Sequence, residues 1–273
     1  MSNRPVFVVS DRTGITAEMM SHSLLTQFPS VKFDVSTLPF VDSDDKVTDA
    51  IRQINDAGRE AGVRPLVFTT FIDDEHRNQL LQCEGVLFDL FGTFLDPLEQ
   101  ELEQRSSHSI GISHGLVDPV RYTNRIGAVN FAVHCDDGLN TRDYDKTDVI
   151  LVGVSRVGKS PVCLYLAMQF GVYCANYPLT DQDLERSALP PALKDYRERL
   201  FGLTIRPERL QQIRQERRNG SSYASMPQCR YEVAHAENMF LKNHIPTADA
   251  TSLSIEEIAT RVMHQMRLKR DIY

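Results

Sequence analysis

The feature that most constrains this chain is a glycine-rich loop between a strand-like run and a helix-like one. Residues Gly153–Ser160 read G-V-S-R-V-G-K-S and match the phosphate-loop pattern G-x-x-x-x-G-K-[ST] at every fixed position. The loop follows the apolar run Val149–Val154 and precedes an amphipathic stretch that reaches about Phe170. Because a phosphate loop works in the order strand, loop, helix, this context favours a nucleotide site within an α/β fold.

Each part of this loop has an expected role. The two glycines allow backbone conformations that other residues resist, so that N–H groups can approach phosphate oxygens, and the following helix directs its positive end at them. Lys159 supplies a mobile charge for the terminal phosphate, and the Ser160 hydroxyl is expected to join a Mg²⁺ coordination shell. The predicted nucleotide-binding residues in the loop are Gly153, Val154, Ser155, Arg156, Val157, Gly158, Lys159 and Ser160.

Two carboxylates precede the loop at a suggestive position. Asp136 and Asp137 stand beside a glycine shortly before the apolar strand, which indicates a turn. Paired carboxylates near a phosphate site bind Mg²⁺ or accept a hydroxyl proton, so both are candidate catalytic residues together with Lys159. A solvated turn explains the spacing equally well. The run Leu200–Ile205 carries no carboxylate, and Val86–Asp89 is interpreted as a strand end in the first domain.

A basic segment, Arg206–Arg218, follows the strand-like run Leu200–Ile205. Arginine suits phosphate because its planar fork of donors matches phosphate oxygens. Arg206 and Arg209 flank the start of a predicted helix directly after a strand, so both are candidate nucleotide-binding residues. A solvated helical face is an equal alternative for these two, and it is the favoured interpretation of Arg214–Arg218.

The segment Ser10–Ala17 is a second place for phosphate chemistry. It follows a predicted strand, opens a predicted helix, and carries hydroxyl residues and one glycine. Such a segment can hold a phosphate or a phosphorylated side chain at the helix N-terminus. Ordinary capping by Thr13 or Thr16 explains the same residues and is the favoured interpretation.

The organisation of the chain follows from the alternation of its elements. Short apolar runs alternate with helix-like stretches from Val6–Ser10 onward, which predicts a parallel sheet with crossover helices. The stretch Ser106–Pro119 has little periodicity and is interpreted as a linker. We predict an α/β protein of two domains: an N-terminal parallel-sheet domain, residues 1–140 with a linker from about 106, and a kinase-like P-loop domain, residues 141–273.

Charge and hydropathy exclude several classes of function. The formal net charge is −7, so a general affinity for nucleic acid or for anionic membranes is not expected. No apolar run reaches transmembrane length, and the first residues lack the layout of a signal peptide. We expect a cytoplasmic protein whose five scattered cysteines are reduced thiols.

A series of longer motifs runs in order along almost the whole chain. They are SDRTGITAE at 10–18, RPLVF at 64–68, DDG at 136–138, ILVGVSRVGKSPVCLYLAMQFGV at 150–172, ANYP at 175–178, LFGLTI-x-PERL at 200–210, YAS at 223–225, QCR at 228–230 and EEIAT at 256–260. Together they resemble the bacterial phosphoenolpyruvate synthase regulatory proteins, which are related to the regulators of pyruvate, phosphate dikinase. The choice of synthase over dikinase rests on overall similarity.

The resemblance implies an unusual, bifunctional activity. Proteins of this kind transfer phosphate from ADP to a threonine of the target enzyme and inactivate it. They also remove that phosphate by attack of inorganic phosphate, which releases pyrophosphate. The resemblance therefore implies ADP as donor, inorganic phosphate as co-substrate, phosphoenolpyruvate synthase as protein substrate, and a phosphate-loop role for Gly153–Ser160. We also expect Mg²⁺; the resemblance assigns no catalytic base, and it leaves a homodimer open.

Two other functions compete with this one. A small-molecule kinase with an adenylate-kinase-like core shares the phosphate loop but needs a compact acceptor pocket and ATP as donor. A nucleotide-binding switch would bind nucleotide and form no product. The chain shows no clear switch element. The preferred phosphate donor, ADP or ATP, distinguishes the regulatory enzyme from the small-molecule kinase.

Overall fold

The computed structural model describes residues 3–107, 119–186, 188–217 and 221–268, with the backbone alone at 119–121. It forms two compact units that divide between Val117 and Asp118. Each contains a four-stranded parallel sheet, which confirms the predicted fold class. Residues 108–118, which make up most of the predicted linker, lie outside the described part of the chain.

The first unit has a sheet of order β2-β1-β3-β4. Its elements are β1 (Arg4–Val9), α1 (Ile15–Leu25), β2 (Phe33–Leu38), α2 (Asp44–Ala61), β3 (Leu66–Thr69), α3 (Asp74–Leu80), β4 (Val86–Asp89) and α4 (Gly92–Leu102). Strand β1 is central and almost wholly buried. Helix α2 contributes Val47, Ala50 and Ile54 to the core, at the helical spacing that aligns side chains on one face. It ends at Gly62, whose φ of 64° suits a glycine C-cap.

Helix α1 begins without a side-chain cap. Its N-cap residue is Gly14, with φ 76°, and among the described residues no side-chain cap hydrogen bond forms there. Capping by Thr13 or Thr16, the favoured interpretation of this segment, is therefore wrong. The left-handed glycine turns the chain into the helix and leaves its first amides without a capping side chain.

The second unit has a sheet of order β6-β5-β7-β8. Its elements are α5 (Pro119–His134), β5 (Val149–Gly153), α6 (Lys159–Phe170), β6 (Cys174–Pro178), α7 (Asp181–Arg186), β7 (Leu200–Thr204), α8 (Pro207–Arg217), α9 (Met226–Lys242), β8 (Thr247–Asp249) and α10 (Ile255–Gln265), with short 3-10 turns at Asp136–Gly138, Thr141–Lys146, Pro191–Arg199 and Ser222–Ala224. Gly171 ends α6, and a Ser254–Glu257 capping box starts α10, both as predicted. Strand β8 has no counterpart in the prediction.

The division of the chain lies earlier than the predicted boundary at 140. Helix α5 packs on α6 and on β6, and the turn Asp136–Gly138 packs on β6 as well. These segments therefore share the core of the second unit, although they precede its first strand in sequence. No helix of the described residues is long and apolar enough to cross a membrane.

Candidate phosphate site

The loop between β5 and α6 has the conformation that its glycines allow. A Cβ atom at Gly153 would lie 2.5 Å from the Leu203 carbonyl oxygen, so only glycine permits this close approach of β5 and β7. Gly158 is the N-cap of α6 and has φ 101°, a region that side-chain-bearing residues rarely adopt. The predicted strand–loop–helix context of the phosphate loop is thus present.

Lys159 is held inside the loop. Its side chain is buried, with 4% of the residue exposed, and Nζ donates to the carbonyl oxygens of Gly153 (3.1 Å) and Val154 (3.0 Å). Burial lowers the pKa of Lys159 to about 8, against the raising effect of the nearby Asp137 and Asp136 charges. A desolvated ammonium group next to the loop interacts more strongly with a bound phosphate than a solvated one would.

Ser160 and Asp136 meet at the start of α6. The Ser160 hydroxyl donates to Asp136 Oδ1 at 2.7 Å, and the Asn176 side-chain amide donates to the same oxygen. Asn176 is fully buried on β6 and also accepts from the Asp137 backbone amide at 3.0 Å. The interpretation of Asp136 as part of a merely solvated turn is therefore wrong, because its carboxylate is bonded to the phosphate-loop serine.

Asp137 differs from its neighbour. It is exposed, and its backbone is left-handed with φ 51°. Its charge has the largest raising effect on the pKa of Lys159. Asp136 is thus fixed against the loop, whereas the Asp137 carboxylate is accessible from solvent.

The oxygen ligands at this site fit Mg²⁺ better than a transition metal. No group of three or more His, Cys, Asp and Glu side chains among the described residues could hold a metal ion. Ser160 and Asp136 offer one hydroxyl and one carboxylate, both hard oxygen donors. Mg²⁺ is commonly bound through one or two such side chains with water and substrate phosphates completing the shell, so these residues fit it.

Arg214 is a buried part of this site and not a solvated residue. It is 0% exposed on α8 and forms a two-pronged ion pair with Glu232, at 2.8 and 2.6 Å. The same guanidinium donates to the Tyr223 carbonyl oxygen at 2.9 Å and to the Ser155 carbonyl oxygen at 3.1 Å. The solvated-face interpretation of Arg214 is wrong; Arg217 is exposed as expected, and Arg218 lies outside the described residues.

Tyr223 also contacts Ser155, the loop residue that Arg214 binds. Its hydroxyl donates to Ser155 Oγ at 2.9 Å, and its ring lies 4.0 Å from the Arg214 guanidinium carbon. The next residue, Arg156, is left-handed with φ 77°, which costs a residue other than glycine about 1–2 kcal/mol. Such a conformation persists where its surroundings hold it. The contacts of Arg214 and Tyr223 with Ser155 supply that restraint.

Arg206 and Arg209 occupy different surroundings. Arg206 lines an open cleft of about 400 Å³ at the carboxyl ends of β7 and β8, which also includes Arg230, Glu237 and Asp249. Arg209 is exposed on α8 and donates to Gln212 at 3.3 Å. Nucleotide binding by either residue stays a prediction, and the geometry favours Arg206.

Sequence reasoning missed Asn176, Tyr223 and Glu232 as parts of this site. Asn176 and Tyr223 lie in the ANYP and YAS motifs, which were quoted for the resemblance alone. A polar residue inside the otherwise apolar strand β6 was the only local signal for Asn176. Glu232 lies within α9 and gave no signal, because its importance depends on Arg214.

Comparison with known proteins identifies the family of this chain. The model of the kinase/pyrophosphorylase family matches residues 6–263. The chain belongs to this family. It is 52% identical to a protein of Alkalilimnicola ehrlichii over 100% of this chain and 99% of that protein. It is 56% identical to a protein of Halorhodospira halophila, and 52% identical to one of Alcanivorax borkumensis, over 98% of both chains in each case.

All three relatives carry, provisionally, the name phosphoenolpyruvate synthase regulatory protein. Membership of the family supports a phosphotransferase activity for this chain.

Proposed function

We propose that the chain is a bifunctional regulator of phosphoenolpyruvate synthase. In this proposal it phosphorylates a threonine of that enzyme with ADP, and it removes the phosphate with inorganic phosphate. The family and the names of the relatives support phosphoryl transfer and regulation. One observation carries the proposal. At the phosphate loop, the buried Lys159 is held by a loop carbonyl oxygen, and the next residue, Ser160, donates a hydrogen bond to Asp136.

In the kinase direction the threonine oxygen attacks the β-phosphorus of ADP. A bond forms between that oxygen and phosphorus, the bond from phosphorus to the bridging oxygen breaks, and AMP leaves. The threonine proton passes to a base, and Asp137 is the proposed base because its carboxylate is accessible. Lys159 neutralises charge on the transferring group.

In the removal direction an oxygen of inorganic phosphate attacks the phosphorus of phosphothreonine. A phosphorus–oxygen–phosphorus link forms, the bond to the threonine oxygen breaks, and pyrophosphate leaves while the threonine oxygen regains a proton. Both directions place two phosphoryl units and one hydroxyl in line, so one loop can serve both. Ser160 and Asp136 would hold Mg²⁺, which when bound neutralises phosphate charge.

The test uses purified phosphoenolpyruvate synthase and ADP labelled in its β-phosphate. We expect label on one threonine of the synthase, loss of synthase activity, and labelled pyrophosphate when inorganic phosphate is then added. The Lys159→Ala variant serves as the inactive control. Transfer from γ-labelled ATP, or label on a small molecule and not on the protein, would instead favour the small-molecule kinase.

A second experiment tests the identity of the target enzyme. The same reaction with pyruvate, phosphate dikinase in place of the synthase measures target preference directly. Faster labelling of the dikinase would overturn the choice of target and leave the chemistry intact. Nucleotide binding without label on either enzyme would favour a switch without transfer activity.

A further inference from the structure

An open cleft lies close to the phosphate loop in the second unit, at the carboxyl ends of β7 and β8. Strand β7 connects the two places, because Leu203 approaches Gly153 of the loop and the next residue, Thr204, lines the cleft. The cleft has a volume of about 400 Å³, within the range of sites that hold small organic molecules. A ligand whose phosphates occupy the loop can therefore extend its remaining atoms toward this cleft.

The floor of this cleft is apolar. Ile205 and Val233 are buried and line it together with Pro207. Arg206 also lines the cleft but is exposed, so it belongs to the rim. A flat ring can bury its surface on such a floor and present its π face to a guanidinium group. The cleft therefore fits an aromatic heterocycle better than a purely ionic group.

Two carboxylates that line the cleft are each fixed by a threonine. Glu237 Oε1 accepts from the Thr204 hydroxyl at 2.6 Å. Asp249 Oδ1 accepts from the Thr251 backbone amide at 2.8 Å and from the hydroxyl of the same threonine. Within the described part of the chain, the other oxygen of each carboxylate accepts no hydrogen bond. Each side chain is thus held by one oxygen and offers the second to a ligand.

These features match the two parts of a ribonucleoside. A base is a flat ring system that can lie on the apolar floor, and ribose carries two neighbouring hydroxyl donors. Carboxylates serve such hydroxyls in dinucleotide-binding folds, where an Asp or Glu accepts from the ribose 2′-hydroxyl. A phosphate group would instead be repelled by the two carboxylate charges. The cleft therefore suits the nucleoside, and the loop suits the phosphates, of one nucleotide.

We propose that this cleft selects a ribonucleotide over a deoxyribonucleotide, with the base on the apolar floor and the ribose hydroxyls donating to Glu237 and Asp249. The inference rests on the proposed function, which brings ADP to the phosphate loop. The loop alone cannot make this selection, because its amides and Lys159 recognise phosphate groups. Inorganic phosphate and pyrophosphate carry no nucleoside, so the removal of phosphate from threonine does not use the cleft.

The first test is calorimetric titration of the full-length protein with ADP, 2′-deoxy-ADP and 3′-deoxy-ADP. We expect each deoxy analogue to bind the wild-type protein roughly tenfold more weakly than ADP, the scale of one hydrogen bond to a charged group. In Glu237→Ala one analogue should bind as well as ADP, because the hydroxyl that it lacks has lost its acceptor. Asp249→Asn keeps the oxygen that Thr251 uses and should shrink the penalty of the other analogue.

Two controls accompany these titrations. Glu216→Ala removes an exposed glutamate of α8 that does not line the cleft, so it should keep both penalties. Titration with inorganic pyrophosphate reports on the phosphate loop alone and should give the same affinity in every variant. Equal binding of ADP and both analogues to the wild-type protein would refute ribose recognition. Unchanged penalties in Glu237→Ala and Asp249→Asn would refute the assignment of these carboxylates.

The second test compares the two directions of the reaction. Glu237→Ala should raise the KM for ADP in threonine phosphorylation roughly tenfold and leave the phosphate-dependent removal at the wild-type rate. An equal loss in both directions would overturn the proposal and assign the cleft to the protein target, which both directions share. If the wild-type protein bound ADP but transferred no phosphate, the proposed function would fail, whereas the titrations with the deoxy analogues would still decide the role of the cleft.

Discussion

The two units differ in how they hold polar side chains at the carboxyl edges of their sheets. In the second unit, Lys159, Ser160 and Arg214 are all bonded to neighbours of the same unit. In the described part of the first unit, Asp11 keeps one buried oxygen without a partner and α1 begins without a side-chain cap. The phosphate loop is therefore preorganised by its own fold, whereas the first-unit edge has a less complete set of internal hydrogen bonds.

The helices that follow these two loops show the same difference. Helix α6 buries Val162, Leu166 and Phe170 against its own unit. Helix α1 buries only two residues of its 11, while Ile15 and Met19 are exposed. Packing thus fixes the start of α6 more firmly than the start of α1, and substitutions at the phosphate loop should affect chemistry with little rearrangement elsewhere.

The largest effect is expected from Lys159→Ala. Loss of the charge beside the transferring phosphate should slow both directions by roughly a thousandfold, the upper scale for removing one preorganised group. Initial rates of threonine phosphorylation and of pyrophosphate release measure it, with thermal melting as a check on folding. Lys146→Ala is the control, because this lysine of the same unit is exposed and pairs with Asp143. A rate within a few-fold of wild type in either direction would contradict a shared loop.

The next largest effects separate Asp136 from Asp137. Asp136→Asn should slow both directions by roughly a hundredfold, with partial recovery at high Mg²⁺, because a metal ligand serves both. Asp137→Asn should slow the kinase direction more, because a neutral threonine needs a base and phosphate already carries negative charge. Rates in both directions across a Mg²⁺ titration measure this. Wild-type rates for both variants would show that neither carboxylate serves the reaction.

The contrast between local and distant signals explains what the sequence could predict. The phosphate loop, the Gly171 helix end and the Ser254–Glu257 capping box depend on neighbouring residues, and all are present. Strand β8 has only three residues, Thr247–Asp249, with too little apolar pattern to detect. Burial of Arg214 depends on Glu232 and Ser155, which are distant in sequence. A charged helix segment looks solvated until its tertiary partner is known.

A smaller effect tests whether the contacts of Ser155 preorganise the loop. Tyr223→Phe removes only the hydroxyl that donates to Ser155 Oγ, so ADP should bind a few-fold more weakly, as expected for one neutral hydrogen bond. The loss should shrink in an Arg156→Gly background, because glycine adopts a φ of 77° without strain. Calorimetric titration of the two single variants and the double variant measures the coupling.

The control for this double-mutant comparison is Tyr231→Phe, at an exposed tyrosine of α9 whose ring packs on His235. It should leave ADP affinity unchanged in both backgrounds. An equal loss from Tyr223→Phe with arginine or glycine at position 156 would show that the hydroxyl does not restrain the loop.

The smallest expected effect concerns the exposed arginines that follow β7 in the sequence. Arg206 lines the cleft at the carboxyl ends of β7 and β8, whereas Arg209 and Arg217 lie exposed on α8. Arg206→Ala should therefore weaken ADP binding more than Arg209→Ala or Arg217→Ala. Because the side chain is exposed, water and salt screen its charge, and the loss should correspond to about 0.2–1 kcal/mol.

Ionic strength separates this weak contact from the preorganised ones. Raising the salt concentration shortens the screening length, so the Arg206→Ala deficit should fade at about 1 M salt while the Tyr223→Phe deficit persists. Calorimetric titration of ADP at low and high salt measures both in one series. Equal ADP affinities for Arg206→Ala, Arg209→Ala and Arg217→Ala at low salt would favour the alternative that all three arginines belong to a solvated helical face. A salt-independent Arg206 deficit would mean that Arg206 becomes buried against the nucleotide.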